Sequence, residues 1–310
     1  MITQQQIKNF LEAGMIADAL GVPVEFEERD TYTVTAMQGH GTYNQPEGSW
    51  SDDSSLTLCL AETLAQDGDP EACMQKFVAY MEQGAYTPGG ALFDIGNATR
   101  AAVIDFAVHG VPAVKAGGRS QWSNGNGALM RIAPLAFSSL HLDRRARQQL
   151  TRDYTTITHG HIRSIIASDL YIECLRNLLL GQPLLQAISE AWRIIAYGDY
   201  PTDELALFRR IHDVHFAETT RQDIHSSGYV IDSFEAAMWC ALKGRSLAEV
   251  CLLAVNLGED TDTIAQIAAC LYVAGHFDER APRDCQETLI HTPEADQIIN
   301  AFAKRFAEKL

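Results

Sequence analysis

Apolar residues recur three and four positions apart over most of the chain, the spacing of one face of an α-helix. Ile7, Phe10, Leu11, Ile16 and Leu20 set that period from Gln4 to Leu20. Gly14 and Ala17 lie among them and leave room for a close neighbour, and Gly21-Val22-Pro23 ends the run. Leu56, Cys59, Leu60, Thr63 and Leu64 form a second apolar face behind Ser51, a natural N-cap. Helical patterns continue over Asp69 to Gln83, Ala98 to His109, Ala128 to Ser138, Ile162 to Leu180, Leu184 to Ala196, Phe234 to Leu242 and Ser246 to Asn256. A last apolar run covers Ile264 to Ala274. Only Thr31-Tyr32-Thr33-Val34-Thr35 alternates with β-branched residues and predicts a short strand. Gly39 to Ser49, Ala85 to Gly96 and Tyr197 to Glu204 carry the Gly, Pro and Asn of loops and connectors. No repeat, low-complexity tract or linker divides the chain. The pattern predicts an all-α fold, a single compact multi-helix domain over residues 1–310, with its site where several helix N-termini converge.

Two helix starts carry more polar chemistry than a cap requires. Gly258-Glu259-Asp260-Thr261-Asp262-Thr263 precedes the last apolar run, and Trp50-Ser51-Asp52-Asp53-Ser54-Ser55 opens the second helix. Acids in a first helical turn favour the macrodipole, so each cluster alone reads equally as a well-capped helix. Residues two apart on a regular helix point away from each other. Asp260 and Asp262 therefore face one point only if the backbone between them is still turning into the helix. Brought together, Asp52, Asp53, Asp260 and Asp262 put four negative charges in one small volume, which cannot stay ionised without counter-charge. Two divalent cations balance them. With oxygen donors and no Cys or His in either cluster, Mg²⁺, Mn²⁺ or Ca²⁺ suits the set better than Zn²⁺.

Composition narrows the partners. The chain has 24 Lys and Arg against 40 Asp and Glu, a net charge of −16, which argues against a nucleic-acid or anionic-membrane surface. An anionic ligand would need local positive potential, from metal, helix ends or Arg. The 46% of hydrophobic residues supports a sizeable core, and no run reaches the roughly 18 apolar residues of a membrane span. Seven scattered cysteines without a C-x-x-C pair, and an N-terminus without a signal-peptide pattern, predict buried reduced thiols in a cytoplasmic protein.

Five segments in order carry a resemblance: Gly14-Met15-Ile16-Ala17-Asp18-Ala19-Leu20-Gly21, Ser51-Asp52-Asp53-Ser54, Asp94-Ile95-Gly96-Asn97, Gly125-Asn126-Gly127-Ala128-Leu129-Met130-Arg131 and Gly258 to Thr263. Together the chain resembles the ADP-ribosylglycohydrolase family, whose bacterial members include the dinitrogenase reductase-activating glycohydrolases. The resemblance implies metal-dependent hydrolysis of an ADP-ribosyl glycosidic bond. It assigns Ser51, Asp52, Asp53, Asp260, Asp262 and Thr263 to two divalent cations, Mg²⁺ or Mn²⁺. It places Asp94 beside the metals and the scissile bond, where the residue alone also reads as a helix-start acid. It brings Glu25 to the metals from a mobile loop, where the sequence alone also allows a solvated acid among Glu27, Glu28 and Asp30. Asn97 reads as cap or substrate contact. Ser123, Gly125, Asn126 and Gly127 form a turn whose glycines and helix start suit an anion, and the resemblance makes it a diphosphate or ribose contact. His159 and Gly160 lie near the nucleotide by resemblance; His159 and His161, two apart, diverge too far for a metal pair. Tyr229, in Gly228-Tyr229-Val230, lines the cleft by resemblance, although an aromatic before a helix is more often core.

The chain departs from the family pattern at Ser51, where Thr is common, and at Ala265-Gln266, where Gly-Ala is usual. The hydroxyl survives the first change; the second alters how the helix packs on the site. The expected partners are an ADP-ribosylated protein and the product ADP-ribose, including the target of an ADP-ribosylating toxin. Arginine is the expected linkage, because acids around the cleft attract a guanidinium more than a serine ether. Two rivals stand beside this. One is a non-catalytic ADP-ribose-binding protein. The other is a phosphoryl-transfer enzyme, suggested by Asp260-Thr261-Asp262, although Ile264 breaks that motif and too little chain follows for an α/β domain.

Overall fold

The structure is a computed structural model that describes residues 1–213 and 215–307. Its helices are α1 (Gln4–Gly21), α2 (Asp52–Ala65), α3 (Pro70–Gln83), α4 (Asn97–His109) and α5 (Ala113–Ala116). There follow α6 (Leu135–Ser138), α7 (Arg144–Thr156), α8 (Ile162–Leu179), α9 (Leu184–Ala196) and α10 (Thr202–Ala206). The chain closes with α11 (Val230–Lys243), α12 (Leu247–Val255), α13 (Thr261–Gly275), α14 (Arg283–Thr288) and α15 (Pro293–Phe306). The fold is all-α, as the periodicity predicts. Among the described residues no sheet forms, only isolated bridges such as Gly118 with His159 and Gly125 with Tyr229.

Helix α13 is the axis. Every residue from Thr261 to Ala274 is buried, the signature of a helix surrounded by others, and from Ile264 on only Gln266 is polar. Helices α1, α8, α11 and α12 pack along it, and α2 and α15 close the layer beyond α1. Ile264, Ile267 and Leu271 are fully buried. Each removes apolar surface worth roughly 1.5–3 kcal/mol, more than the propensity differences among ordinary helix residues. Packing, not local preference, therefore holds α13. Gly14 lets α1 approach, since a Cβ there would lie 3.2 Å from Cys270 Sγ. At the other end of α1, a Cβ on Gly21 would meet the Asp262 backbone at 2.4 Å, so the end of α1 abuts the start of α13. All seven cysteines are free and buried. No helix of the described residues is long and apolar enough to cross a membrane.

Two sequence expectations fail. Thr31 to Thr35 forms no strand, because its polar backbone finds a side chain instead of a partner strand. Val34 N–H donates to Asn256 Oδ1 at 2.8 Å, and Asn256 Nδ2 returns a bond to Val34 O at 3.0 Å. The helix expected over Ala128 to Ser138 shrinks to Leu135–Ser138. Pro134 lacks an N–H and disfavours helical backbone before it, so Ala128 to Ala133 runs through turns. The Arg131 guanidinium takes the Gly127 carbonyl. No helix start therefore backs the Gly125–Gly127 turn, and the anion argument built on one lapses.

Candidate active site

Three helix starts and one loop converge at one end of the α1–α13 pair. Ser51 caps α2, accepting from Asp53 N–H at 3.2 Å, and thereby sets Asp52 and Asp53 in the first turn, both buried. Gly258 and Glu259 adopt left-handed backbone, φ 82° and 60°, and turn the chain sharply into α13. Asp260 is the N-cap with ψ 71°, still outside the helix, while Asp262 is inside it. That break in periodicity turns both carboxylates to one side. Thr263 Oγ1 donates to Asp53 Oδ2 at 3.1 Å and joins the two helix starts. The third start is that of α4, where Gly96 N–H donates to Asp52 Oδ2 at 3.1 Å. Gly96, not Asn97, is its N-cap, and Asn97 makes no capping bond.

Glu25 arrives from the loop after α1. It is 6% exposed, so the reading as a solvated acid is overturned. Phe26 N–H donates to Glu259 O at 2.7 Å, and Glu259 N–H to Glu27 O at 2.9 Å, pinning this loop to the turn before α13. Glu25, Asp94 and Asp262 each place a carboxylate oxygen within 4.8 Å of the others. Burial raises all six carboxyls of the cluster, and neighbouring acids raise most of them further. Asp52, Asp53 and Asp262 lie well above the ordinary range, Asp94 and Asp260 above it, and Glu25 is pushed up to about 9. Among the described residues no Lys or Arg forms an ion pair with any of them. Buried Arg131 is engaged elsewhere, donating to Tyr154 O at 3.1 Å and lying 5.1 Å from the centre of the Phe77 ring.

The acids fit a divalent-cation site on an observation independent of any motif. Glu25 Oε2 and Asp53 Oδ1 are buried without a hydrogen-bond partner, a costly state for a polar atom that a bound cation relieves. The donors at hand are carboxylates and the hydroxyls of Ser51 and Thr263, a hard oxygen set.

A cleft of about 220 Å³ opens above the acids. Asn97, Gly125, Asn126, Gly127 and His159 form its far side. Asn126 Nδ2 donates to Asp260 Oδ2 at 2.7 Å and to Ser233 Oγ at 2.8 Å, so the turn is tied to the acid cluster. His159 is buried, exchanges a hydrogen bond with Thr158 Oγ1 at 2.8 Å, and is pushed down to about 3 by burial and by Arg131. It is a neutral imidazole at pH 7. A Cβ on Gly127 would lie 2.9 Å from His159 Cε1, so a larger residue there would displace the buried ring.

A profile of the ADP-ribosylglycohydrolase family matches residues 2–310. The chain belongs to this family. It is 33% identical over 263 residues to "ADP-ribosylarginine hydrolase Tri1" of Serratia proteamaculans (strain 568), covering 83% of this chain and 69% of that protein. It is 29% identical over 300 residues to the protein of the same name from Pseudomonas putida (strain GB-1), covering 91% and 77%. A solved structure titled "ADP-ribosylglycohydrolase-related protein complex" superposes with a TM-score of 0.80 at 29% identity, over 97% of this chain and 98% of that one.

Other sequence candidates lie around the cleft rather than in its wall. Ser51 sits behind Asp53. Ser123 shares a hydrogen bond with Ser120 at 2.9 Å, and Gly160 N–H pairs with Gly118 O at 2.8 Å. The Tyr229 hydroxyl accepts from Arg163 at 3.3 Å, while its backbone pairs with Gly125. His161 caps α8, accepting from Arg163 N–H, and His159 bonds Thr158 Oγ1 instead. Sequence reasoning gave no role to Asp18, which is fully buried under α2. It accepts from Ser51 N–H at 3.0 Å, Ser54 N–H at 3.0 Å and Ser54 Oγ at 2.5 Å. The signal was present: Asp18 is the single charge in the run Ala13 to Gly21, whose residues are all buried. Tyr43 also escaped. Its hydroxyl acts on Glu25 and Asp94, and it lies in a loop without a pattern.

Proposed function

We propose that the protein is a divalent-cation-dependent hydrolase that releases ADP-ribose from arginine side chains of modified proteins. The observation that carries this reading is a cluster of five buried carboxyls and half-buried Asp94, all raised by burial and, among the described residues, without a Lys or Arg ion pair, at the floor of a cleft. The names of the two curated relatives supply the linkage.

Asp52, Asp53, Asp260 and Asp262 would hold two cations, Mg²⁺ or Mn²⁺, with the hydroxyls of Ser51 and Thr263. The chemistry such cations supply is Lewis-acid binding of ribose hydroxyls and a lowered pKa for bound water. Asp94 and Glu25 do the proton work. Cleavage of the C1–N bond develops positive charge at the ribose carbon, which a carboxylate beside it stabilises. Water gives its hydroxyl to C1, and its proton passes through a carboxylate to the departing guanidine nitrogen. Asp94 is the leading acid/base, being the less buried of the two. Glu25, which burial, Asp260 and Asp94 raise in the metal-free protein, stands beside it as the second candidate. Asn97, Gly125, Gly127 and neutral His159 would receive the ribose and diphosphate, with Asn126 orienting Asp260. Ser123, Gly160 and Tyr229 would shape the loops behind them.

The test is release of ADP-ribose from an arginine-linked peptide, with and without chelator, by wild type, Asp52→Ala and Asp262→Ala. Wild type should turn over only with the cation, and both variants should lose turnover while keeping a helical CD spectrum. Full activity of either variant at saturating cation would overturn the assignment. ADP-ribose binding without turnover by wild type would favour a binding protein.

A further inference from the structure

Phe26 is 68% exposed at the rim of the cleft, and its backbone is left-handed, φ 67°. A bulky residue rarely adopts that conformation, and an exposed phenylalanine gives the core nothing in return. The loop is nonetheless fixed. Besides the Phe26 and Glu259 bonds, Thr42 Oγ1 donates to Glu25 O at 2.7 Å. Arg29 donates to the carbonyls of Leu257, Arg221 and Ile224 at 2.5–2.6 Å. Strain held this firmly at a site mouth points to use.

The ring is not alone. The Phe26 centroid lies 6.5 Å from that of Tyr43, at 61°, and Tyr43 lies 5.3 Å from Phe93, at 56°. Phe26 directly follows Glu25, and Phe93 directly precedes Asp94. Three aromatic rings from three segments thus form one chain: Phe26 lines the cleft with Glu25 and Asp94, and the Tyr43 hydroxyl acts on both carboxylates. Aromatic faces with carboxylates at their edge are what a planar, hydrogen-bond-donating cation requires. A neutral hydroxyl-linked side chain has use for neither.

We infer that Phe26, with Tyr43 and Phe93, forms a guanidinium-selecting rim that gives the cleft its preference for arginine-linked over hydroxyl-linked ADP-ribose. This names the side chain taken by the site of the proposed function, and rests on that reading. The three rings receive the arginine stem and guanidinium; the acids behind them carry the chemistry.

Two measurements test the rim on Phe26→Ala, Phe26→Leu and Phe26→Tyr, with CD confirming the fold of each. The first is the ratio of kcat/KM for matched arginine-linked and serine-linked peptides. Phe26→Ala and Phe26→Leu should lower that ratio about 5- to 20-fold, chiefly through the arginine KM, while Phe26→Tyr stays within about twofold. The second needs no turnover: NMR titration with agmatine and with the isostere in which an uncharged urea replaces its guanidinium. Wild type should prefer agmatine, and Phe26→Ala and Phe26→Leu should lose the preference. Should wild type fail to cleave the arginine peptide yet show Phe26-dependent agmatine binding, the hydrolase reading falls and the rim stands. Should it cleave that peptide while Phe26→Ala or Phe26→Leu keeps both the ratio and the agmatine preference, the rim is overturned and the hydrolase reading stands. No agmatine preference in wild type also overturns the rim.

Discussion

Removing the Asp18 carboxylate tests how the acid cluster is held in place, because Asp18 supports the cluster from below without lining the cleft. In Asp18→Ala, Ser54 Oγ can turn to Gln266 Oε1, 3.0 Å away, but the N–H groups of Ser51 and Ser54 lose their acceptor in a buried place. Two orphaned donors that had bonded a carboxylate cost roughly 2–3 kcal/mol each. Against this, burial raises Asp18 from 3.8 to about 6, so its ionisation already costs the native state about 3 kcal/mol at pH 7.5. The net loss is about 1–3 kcal/mol. With an unfolding entropy of about 0.65 kcal/mol/K for a chain of this length, the midpoint should fall by about 2–5 °C.

The sign with pH follows from the raised carboxyl. Wild type alone bears the ionisation cost, which grows from pH 3.8 to about 6, so the gap to Asp18→Ala narrows over that window and is constant above it. Asp18→Asn keeps an oxygen that both N–H groups can reach and drops the ionisation cost, so it should stay within about 1 kcal/mol of wild type. Loosening the first turn of α2 displaces Asp52 and Asp53. Turnover of the Ala variant should drop by about tenfold or more at low cation and recover as cation is added. Thermal melts of the metal-free proteins from pH 4 to 8, with turnover against Mn²⁺ concentration, decide the matter. Equal stability of Ala and wild type at pH 7.5, with equal cation dependence, would refute the support assigned to Asp18.

Mg²⁺ or Mn²⁺ at about a hundred times its Kd should stabilise the metal-free protein by about 2.7 kcal/mol, about 4 °C, and Asp53→Asn should lose most of that rise. No thermal shift with either cation would count against the whole oxygen-ligand reading. Buried Asp169, bonded by the Tyr200 hydroxyl, is raised by burial from 3.8 to about 7. Its cost therefore begins near pH 4 and is complete above pH 7, with a ceiling of about 4 kcal/mol. Asp169→Asn should raise the urea midpoint at pH 8 but not at pH 4; an unchanged difference across that range would show that burial does not control this carboxyl. Gly21→Ala places a Cβ 2.4 Å from the Asp262 backbone, so it should cost more than about 2 kcal/mol and lower turnover by shifting α13. A wild-type urea midpoint in that variant would mean the two helix ends do not meet as described.

The helices and two acidic starts were legible because their causes are local. An apolar period of 3.6 and a hydroxyl before two acids leave marks within a few residues. Even the convergence of Asp260 with Asp262 was legible as a condition, that the backbone must still be turning, and the φ of Gly258 and Glu259 meets it. What stayed hidden was decided by partners distant in sequence. Val34 reads as strand until Asn256, over 200 positions away, takes its backbone. Ala128 to Ser138 reads as helix by period, and Pro134 within it confines the helix to Leu135–Ser138. Glu25 was ambiguous because its burial depends on a bond from Phe26 to Glu259, and nothing near residue 25 announces that contact.

The departure at Gln266 shows how the chain keeps this arrangement without the usual small residue. Gln266 is buried, and its Nε2 donates to Met130 O at 2.9 Å and Thr57 Oγ1 at 3.2 Å. It thereby joins α13 to α2 and to the turn that follows Gly127. Its Oε1 faces Ser54 Oγ at 3.0 Å, the same hydroxyl that lies 2.5 Å from Asp18. Ser54 has one hydrogen for two acceptors. Ionised Asp18 takes it, as the stronger acceptor. When Asp18 carries a proton it can donate to Ser54, and Ser54 can then donate to Gln266, so every polar atom in the line is satisfied. A small residue at 266 would leave that line open at its α13 end. The larger side chain therefore adds a polar tie beside the close approach of α1 at Gly14, and α1, α2 and α13 reach the acid cluster as one hydrogen-bonded unit.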